Sequence, residues 1–447
     1  MTDLDRVVDR VDRRVRPGAD ERERLASVAD ELVDRARAAL ADHGVDGDVV
    51  RVGSTARDTW LAGDRDIDVF VRLPADLDRS ELERLGLAVG HTVLPDGHEA
   101  YAEHPYVRGT VDGFDVDLVP CYDVDAATAA RSAVDRTPFH TAWLDGRIDD
   151  LTADVRVAKQ FLSAVGAYGS DLKTRGFSGY LTELLVLEHD GFPGLVEAAA
   201  EWRPPVRYDP ADHGTATFDD PLVVVDPTDP ERNVAAVCAP EQVARLQHYA
   251  RDLLRAPRVE AFFRDDPAPL SAAAVSEHVA RRGTEPVAVV FDAPDVVDDQ
   301  LYPQLRRSLG GIRAALDRAG FAPLRAATFA DERAVLLVEC ATSEVAAVER
   351  HEGPPVAVAD HARGFLDAHR DADYGPFLDG DRYVVERPRE HTTPAALLRS
   401  DAVLDVALGV RVEEALRDEY TVLAGTDVAA LADEFGVALA RHFEPQV

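Results

Sequence analysis

Lysine is nearly absent from this chain of 447 residues, since Lys159 and Lys173 are the only two among 49 basic residues. Acidic residues number 83, so the formal net charge at pH 7 is −34. Many carboxylates with so little lysine are typical of proteins that work in a salt-rich cytoplasm. At about 1 M salt the Debye length is only about 3 Å, so this net charge is screened and does not exclude a nucleic acid as a partner.

Cysteine is scarce as well, with three residues far apart in the chain. None belongs to a Cys-x-x-Cys or Cys/His group with zinc spacing, so neither a disulfide framework nor a structural zinc is expected. The N-terminal residues alternate in charge and lack the apolar core of a signal peptide. No run of about 18 apolar residues is present to span a membrane. We therefore expect a soluble, cytoplasmic protein without a membrane partner.

Hydrophobic residues make up 46% of the chain, so it can bury sizeable cores, and its length suggests two to four domains. Residues 1–45 carry apolar side chains at helical spacing. Val- and Ile-rich runs predict strands at residues 48–53, 66–73 and 114–120, with a short helix at 54–61 between the first two. These elements predict an α/β unit of roughly 140 residues.

Helical and mixed patterns alternate over the remaining chain. Helical spacing from residue 151 to about 187 and again over 234–254 predicts helices, and the Pro- and Asp-rich stretch 202–231 predicts a long connection. The last third predicts a βαβ-like α+β module, with strands at 286–292 and 333–339 and a helix at 302–319 between them. A closing amphipathic helix is predicted at 428–443.

Chemistry-bearing residues are densest where the first predicted strand ends. Gly53 and Ser54 close this strand and open a helix, where free N–H groups and a hydroxyl can hold a phosphate. Asp66 and Asp68 lie two apart on the next strand and project from the same face. Alone, such a pair fits a solvated strand edge. Preceded by Gly-Ser, it favours a site in which a cation offsets the two like charges, and hard oxygen ligands suit Mg²⁺.

A third carboxylate from a neighbouring strand would complete a two-metal site. The predicted strand 114–120 offers Asp115 and Asp117. Both project from one face, so spacing alone does not choose between them.

These residues resemble the nucleotidyltransferase superfamily that includes DNA polymerase β, and most closely the archaeal-type (class I) CCA-adding enzymes. The resemblance is carried by Gly53-Ser54, Thr59-Trp60-Leu61, Asp66-Ile67-Asp68, Asp117-Leu118-Val119-Pro120-Cys121-Tyr122 and the segments 101–106, 136–140, 169–180 and 229–236. It implies an α+β multidomain fold with a polymerase-β-like head at 1–145 and a helical neck at 146–265. An RRM-like body would span 266–309 and 386–447, with a tRNA-contacting tail inserted at 310–385.

The resemblance also implies roles for individual residues. Asp66, Asp68 and Asp117 would bind two Mg²⁺ ions, with Asp117 nearest the attacking 3′-hydroxyl and Asp115 outside the ligand set. Nucleotide binding would involve a larger set, comprising Ser54, Arg57, Thr137, His140, Lys159, Tyr168 and Arg232. Within this set the first two follow the first strand, the next four grip triphosphate and ribose, and Arg232 reads the base edge.

The residues alone leave alternatives for this set. His140 and Tyr168 also fit a packed core, and Arg232 fits a surface ion pair. Because the chain has almost no lysine, Lys159 suits a site that needs a compact ammonium group. Chance retention explains this lysine too.

The activity implied by the resemblance is template-independent addition and repair of the 3′-terminal CCA of tRNA from CTP and ATP, with release of pyrophosphate. The partners would be the 3′ end and acceptor arm of tRNA. A poly(A) polymerase or another terminal nucleotidyltransferase is an alternative, and a non-catalytic RNA-binding scaffold is a second. Neither residues nor resemblance decides between a monomer and a homodimer.

Overall fold

The computed structural model describes residues 2–101 and 103–447, so Ala102 of the segment 101–106 lies outside the described residues. Two compact units divide the chain, Met1–Asp265 and Asp266–Val447. Separate hydrophobic clusters stabilise each unit. Among the described residues, no helix has the length and apolar character needed to cross a membrane. The mixed α+β architecture predicted from the sequence is confirmed.

The first unit contains a five-stranded sheet, preceded by two helices and followed by a mainly helical region. Its elements are α1 (Asp3–Val15), α2 (Ala19–Asp42), β1 (Asp48–Val52), α3 (Gly53–Ala56), β2 (Asp66–Pro74), α4 (Arg79–Val93), β3 (His98–Tyr101), β4 (Pro105–Val111), β5 (Phe114–Asp123), α5 (Thr137–Leu144), α6 (Thr152–Ala164), α7 (Gly179–Glu188), α8 (Phe192–Glu201), β6 (Val206–Tyr208), β7 (Leu222–Asp226), β8 (Asp229–Asn233) and α9 (Pro240–Arg255). The three strands predicted for the α/β unit are confirmed to within three residues at either end.

The five-stranded sheet has the order β1-β2-β5-β4-β3. β2 and β5 pair in parallel, and the other neighbours pair antiparallel. Alternate residues of β2, from Ile67 to Leu73, are buried in a core shared with α2 and α4. Because side chains alternate between the two faces of a strand, Asp66 and Asp68 point away from this helix-covered face.

The predicted helix at 54–61 is much shorter in the structure. α3 ends at Ala56, and Asp58 adopts a left-handed backbone with φ 54°. A non-glycine residue in this region interrupts a right-handed helix. The chain then turns so that the Thr59 amide donates to the Ser54 carbonyl and Trp60 is buried in the sheet core.

The prediction of a long connection over residues 202–231 is wrong. This stretch carries β6, β7 and most of β8, which form a three-stranded sheet of their own. Leu222–Asp226 is buried along its whole length, so a short apolar run, rather than the surrounding Pro and Asp, decided its structure. Pro and Asp here supply turns between strands. The helix predicted at 234–254 begins only at Pro240.

The second unit packs helices on both faces of a four-stranded antiparallel sheet. Its elements are α10 (Ala272–Arg282), β9 (Glu285–Asp292), α11 (Asp298–Arg318), β10 (Pro323–Ala330), β11 (Arg333–Cys340), β12 (Val348–Pro355), α12 (Ala359–Ala368), β13 (Tyr374–Asp379), β14 (Arg382–Pro388), α13 (Pro394–Leu398), α14 (Val410–Asp418), β15 (Thr421–Ala424) and α15 (Ala432–Phe443). The strand order is β10-β11-β9-β15. α11 covers one face and α10 with α15 the other. The two predicted strands and the helix between them are confirmed. The predicted βαβ-like arrangement is wrong, because β9 and β11 pair antiparallel.

Residues 310–385, the predicted tail, contribute to two different sheets. β11 pairs with the body strand β9 and β10 pairs with β11, whereas β12, β14 and β13 form a separate three-stranded sheet. The predicted boundaries fall inside α11 and inside β14. Alternating apolar residues reveal a strand but not its partner, which is why sheet membership escaped the sequence analysis. The closing helix also differs, because residues 425–431 form a 3₁₀ helix before α15.

Candidate active site

The parallel pairing of β2 and β5 assembles the predicted carboxylates. Asp68 lies beside Asp117, and Asp66 lies beside Asp115. All four residues occupy alternate positions on the sheet face opposite α2 and α4. The structure thus brings Asp66, Asp68 and Asp117 together on adjoining strands.

Gly53 passes directly over this group. Val52 is the antiparallel partner of Asp68, and Gly53 follows it with φ 78°. A Cβ atom on Gly53 would lie 2.2 Å from Oδ2 of Asp68, which is far inside van der Waals contact. Only glycine fits both the backbone conformation and this close approach. Ser54, half-buried, follows in α3 and therefore lies next to the carboxylates.

The carboxylates of this group repel one another. Burial, followed by the charges of Asp117 and Asp66, raises the pKa of Asp68 to about 6. Burial and neighbouring acids including Asp115 also raise the pKa of Asp66. Such clustered, partly desolvated carboxylates are hard oxygen donors whose repulsion a divalent cation relieves. The donor set therefore fits a hard metal ion.

Arg108 holds the third carboxylate of the group. It lies on β4 directly across from Asp117, and its Nε and Nη2 atoms donate to the two Asp117 oxygens at 2.6 Å each. Within the described part of the chain, no three His, Cys, Asp or Glu side chains are arranged to hold a metal ion. The bidentate contact with Arg108 occupies both oxygens of Asp117. Asp115 is exposed instead and accepts from the Thr110 hydroxyl at 3.2 Å.

A second group of predicted residues surrounds Glu183, which is fully buried. Ser178 caps α7, and Glu183 lies in the buried, largely apolar middle of this helix. Oε2 of Glu183 accepts from Nη2 of Arg57 at 2.7 Å, and Oε1 accepts from the Thr59 hydroxyl at 2.5 Å. Nζ of Lys159 lies 3.5 Å from Oε1. One buried carboxylate thus holds two cations from separate elements.

Lys159 and Tyr168 line the same region. Nζ of Lys159 donates to the Thr59 carbonyl at 3.0 Å, and burial lowers its pKa, although the nearby Glu183 acts in the opposite direction. A Cβ atom on Gly179 would lie 3.2 Å from the Tyr168 hydroxyl and 3.8 Å from Nζ of Lys159. Burial also raises the pKa of Tyr168 well above its usual range. Both groups therefore face one narrow space beside Gly179.

A third group is centred on Asp226, at the end of β7. Its Oδ2 atom lies 2.9 Å from Nε2 of His140 and accepts from Nη1 of Arg232 at 2.7 Å. Burial alone would raise the pKa of Asp226, but the hydrogen bond and charge of His140 and the two bonds from Thr228 hold it well below its usual range. His140 also stacks on Tyr180, with ring centroids 4.1 Å apart.

The predicted nucleotide-binding residues thus divide between two networks. Arg57, Lys159 and Tyr168 lie near Glu183, whereas His140 and Arg232 lie on Asp226. Thr137 is half-buried at the start of α5, one turn before His140.

The sequence analysis missed the partners Arg108, Glu183 and Asp226. A carboxylate inside the apolar run of α7, and another ending the apolar run Leu222–Val225, were signals for Glu183 and Asp226. Arg108 gave none, because only strand register pairs it with Asp117.

Comparisons with known proteins identify the family. Three family models match: a nucleotidyltransferase domain over residues 33–140, the second domain of tRNA nucleotidyltransferase over 153–263 and the C-terminal domain of CCA-adding enzymes over 282–425. The CCA-adding enzyme of Haloarcula marismortui is 60% identical over 462 residues, covering 99% of each chain. Those of Halorubrum lacusprofundi and Halobacterium salinarum are 60% and 56% identical and cover 100% of each chain.

Similarity at this level extends along the entire chain, and the relatives come from halophilic archaea, in agreement with the acidic, lysine-poor composition. The boundaries of head, neck, body and tail stay a prediction. The family resemblance deduced from the sequence is confirmed: the chain belongs to the archaeal CCA-adding enzymes of the nucleotidyltransferase superfamily.

Proposed function

We propose that this protein adds and repairs the 3′-terminal CCA of tRNA, using CTP and ATP without a nucleic-acid template and releasing pyrophosphate. The observation that carries the proposal is the 60% identity, over 99% of both chains, with a protein named as a CCA-adding enzyme. The carboxylates on β2 and β5 supply the chemistry that such a transfer needs, since they stand on adjoining strands beside the Gly53 turn.

Asp66, Asp68 and Asp117 would hold Mg²⁺. When bound, Mg²⁺ lowers the pKa of the RNA 3′-hydroxyl and offsets charge on the phosphates. Asp117 orients the terminal hydroxyl for in-line attack on the α-phosphate, and pyrophosphate leaves on the opposite side. Asp115 takes no part, because it lies beside Asp66 and not beside Asp68, and its carboxylate accepts from the Thr110 hydroxyl.

The two buried networks would bind the incoming nucleotide. Arg57 and Lys159 bind the triphosphate, and Glu183 fixes where they stand. Arg232 is 37% exposed and binds Asp226 through one Nη atom, so further donors of its planar fork are available for a cytosine or adenine edge. His140 shares this carboxylate, which ties α5 to the base-reading residue.

Nucleotide use is the direct test of this function. In high KCl, we expect tRNA lacking its last three nucleotides to gain two from CTP alone and three from CTP with ATP, read on a denaturing gel. ATP alone should extend only tRNA that already ends in CC. Processive extension from ATP alone would identify a poly(A) polymerase, and an absence of any extension or pyrophosphate release would identify a scaffold.

The choice between Asp115 and Asp117 gives a prediction with a built-in control. The two residues lie on the same face of β5. In each of them, Asp→Asn removes one negative charge and keeps the size of the side chain. Asp117→Asn should slow CTP incorporation by about a hundredfold or more, since it removes a proposed ligand, while Asp115→Asn should stay within about threefold of the wild type. Single-turnover rates measure both. A larger loss from Asp115→Asn would reverse the assignment.

A further inference from the structure

Three strands place a row of charged side chains side by side. Asp68 on β2 is paired with Asp117 on β5, and Asp117 is paired with Arg108 on β4. Strand register therefore positions Arg108 next to a group of carboxylates, without depending on a flexible loop. The row beside it runs from Asp66 through Asp115 to Thr110 and carries no cation.

Arg108 binds both oxygens of its carboxylate. The two N–H···O contacts are 2.6 Å long, and the Asp117 side chain is only 18% exposed. Bidentate, charge-assisted pairs of this kind are among the strongest side-chain hydrogen bonds. A cation that takes Asp117 as a ligand competes with this guanidinium for the same two oxygens.

We infer that Arg108 is a built-in counter-ion of the carboxylate group, and that it competes with the divalent cation for Asp117. The inference rests on the proposed function, because it needs a metal ion at these residues. Arg108 stabilises the sheet while no cation is bound, since it offsets repulsion among the acids. It is displaced when the cation binds, and it thereby weakens the cation's apparent affinity.

Arg108→Gln separates these two effects because they have opposite signs. Arg65→Gln is the matched control: Arg65 is exposed, adjoins Asp66 and donates to the Gly113 carbonyl at 3.3 Å. Arg65→Gln removes one positive charge near the carboxylates and leaves the contact between Arg108 and Asp117 intact. Mn²⁺ binding, titrated by electron paramagnetic resonance in high KCl, should be about five- to tenfold tighter in Arg108→Gln and within about twofold of wild type in Arg65→Gln.

With EDTA present, the same Arg108→Gln protein should unfold at lower urea concentration than wild type and Arg65→Gln. Unchanged or weaker Mn²⁺ binding in Arg108→Gln overturns the inference, as do an equal gain in Arg65→Gln and a wild type that binds no Mn²⁺. Extension of tRNA by the wild type is scored separately, in the high-KCl buffer of the Mn²⁺ titration without EDTA. Failure there counts against the proposed function, whereas intact extension with unchanged Mn²⁺ affinity counts against the inference alone.

Discussion

Asp68→Asn is expected to stop nucleotide transfer and, with EDTA present, to make the first unit harder to unfold above pH 6. The carboxylate is costly to the fold because burial and the charges of Asp117 and Asp66 raise its pKa to about 6. The same charge serves the proposed metal site. Its loss should lower kcat by about a thousandfold or more, since several kcal/mol of transition-state stabilisation are removed.

The sign of the stability effect follows from this pKa. A carboxyl whose pKa is higher in the folded than in the unfolded state, where it is about 3.9, makes the protein less stable as pH rises between these values. Wild-type stability should therefore fall, relative to Asp68→Asn, between about pH 4 and pH 6. Above this window the variant should be more stable by about 1–3 kcal/mol, and below it the two should agree.

Urea unfolding in high KCl, followed by tryptophan fluorescence, measures this difference, because all three tryptophans lie in the first unit. Asp125→Asn is the control, since Asp125 is exposed and the substitution removes the same charge. Addition of Mg²⁺ should reduce the advantage of Asp68→Asn, because only the wild type regains stability on binding the ion. Equal stability of Asp68→Asn and wild type at pH 8 would contradict the proposed repulsion.

The sequence alone was sufficient to identify the site residues that a local pattern reveals. Asp66 and Asp68 lie two residues apart on an apolar strand, and because side chains alternate along a strand, the sequence predicts that they share a face. Gly53 indicated a tight turn. Their pairing with Asp117 depended on the family resemblance, since spacing left Asp115 equally eligible. The structure adds the register that places Asp68 beside Asp117.

Contacts between distant segments were beyond the sequence. Glu183 is 126 residues from Arg57, and Asp226 is 86 residues from His140. The local sequence around either carboxylate does not identify the cation that pairs with it, because a buried charge pairs with whichever partner the tertiary fold supplies. The strands between residues 206 and 233 were missed because the many Pro and Asp residues of this stretch obscured the short apolar run that forms β7.

Glu183→Gln should produce the largest loss of stability in the first unit. Replacement leaves Arg57, only 9% exposed, and Lys159, only 3% exposed, without the carboxylate that both share. Removing one partner of a buried ion pair costs about 3–5 kcal/mol, because the remaining charge stays desolvated. Here two cations repel each other as well, so we expect the free energy of unfolding to fall by at least this amount.

Glu188→Gln is the matched control on the same helix. Burial and the nearby acids Asp190 and Asp209 raise the pKa of Glu188, so its charge does not stabilise the fold and its removal should be neutral or slightly stabilising. Urea unfolding by tryptophan fluorescence compares the two variants. A loss below about 1 kcal/mol in Glu183→Gln, or an equal loss in both, would show that Glu183 is not the anchor of Arg57 and Lys159.

Nucleotide binding distinguishes positioning from simple destabilisation. If Glu183 fixes the two triphosphate-binding cations, Glu183→Gln measured where it is still folded should raise the KM for CTP and ATP about tenfold, and an added stabilising salt should not restore it. Glu183→Asp keeps the charge but shortens the side chain, so it should recover most of the stability and less of the nucleotide affinity. A variant that regains both together would indicate that the charge alone matters, whereas the separate contacts of Oε1 with Thr59 and Oε2 with Arg57 indicate that its placement matters too.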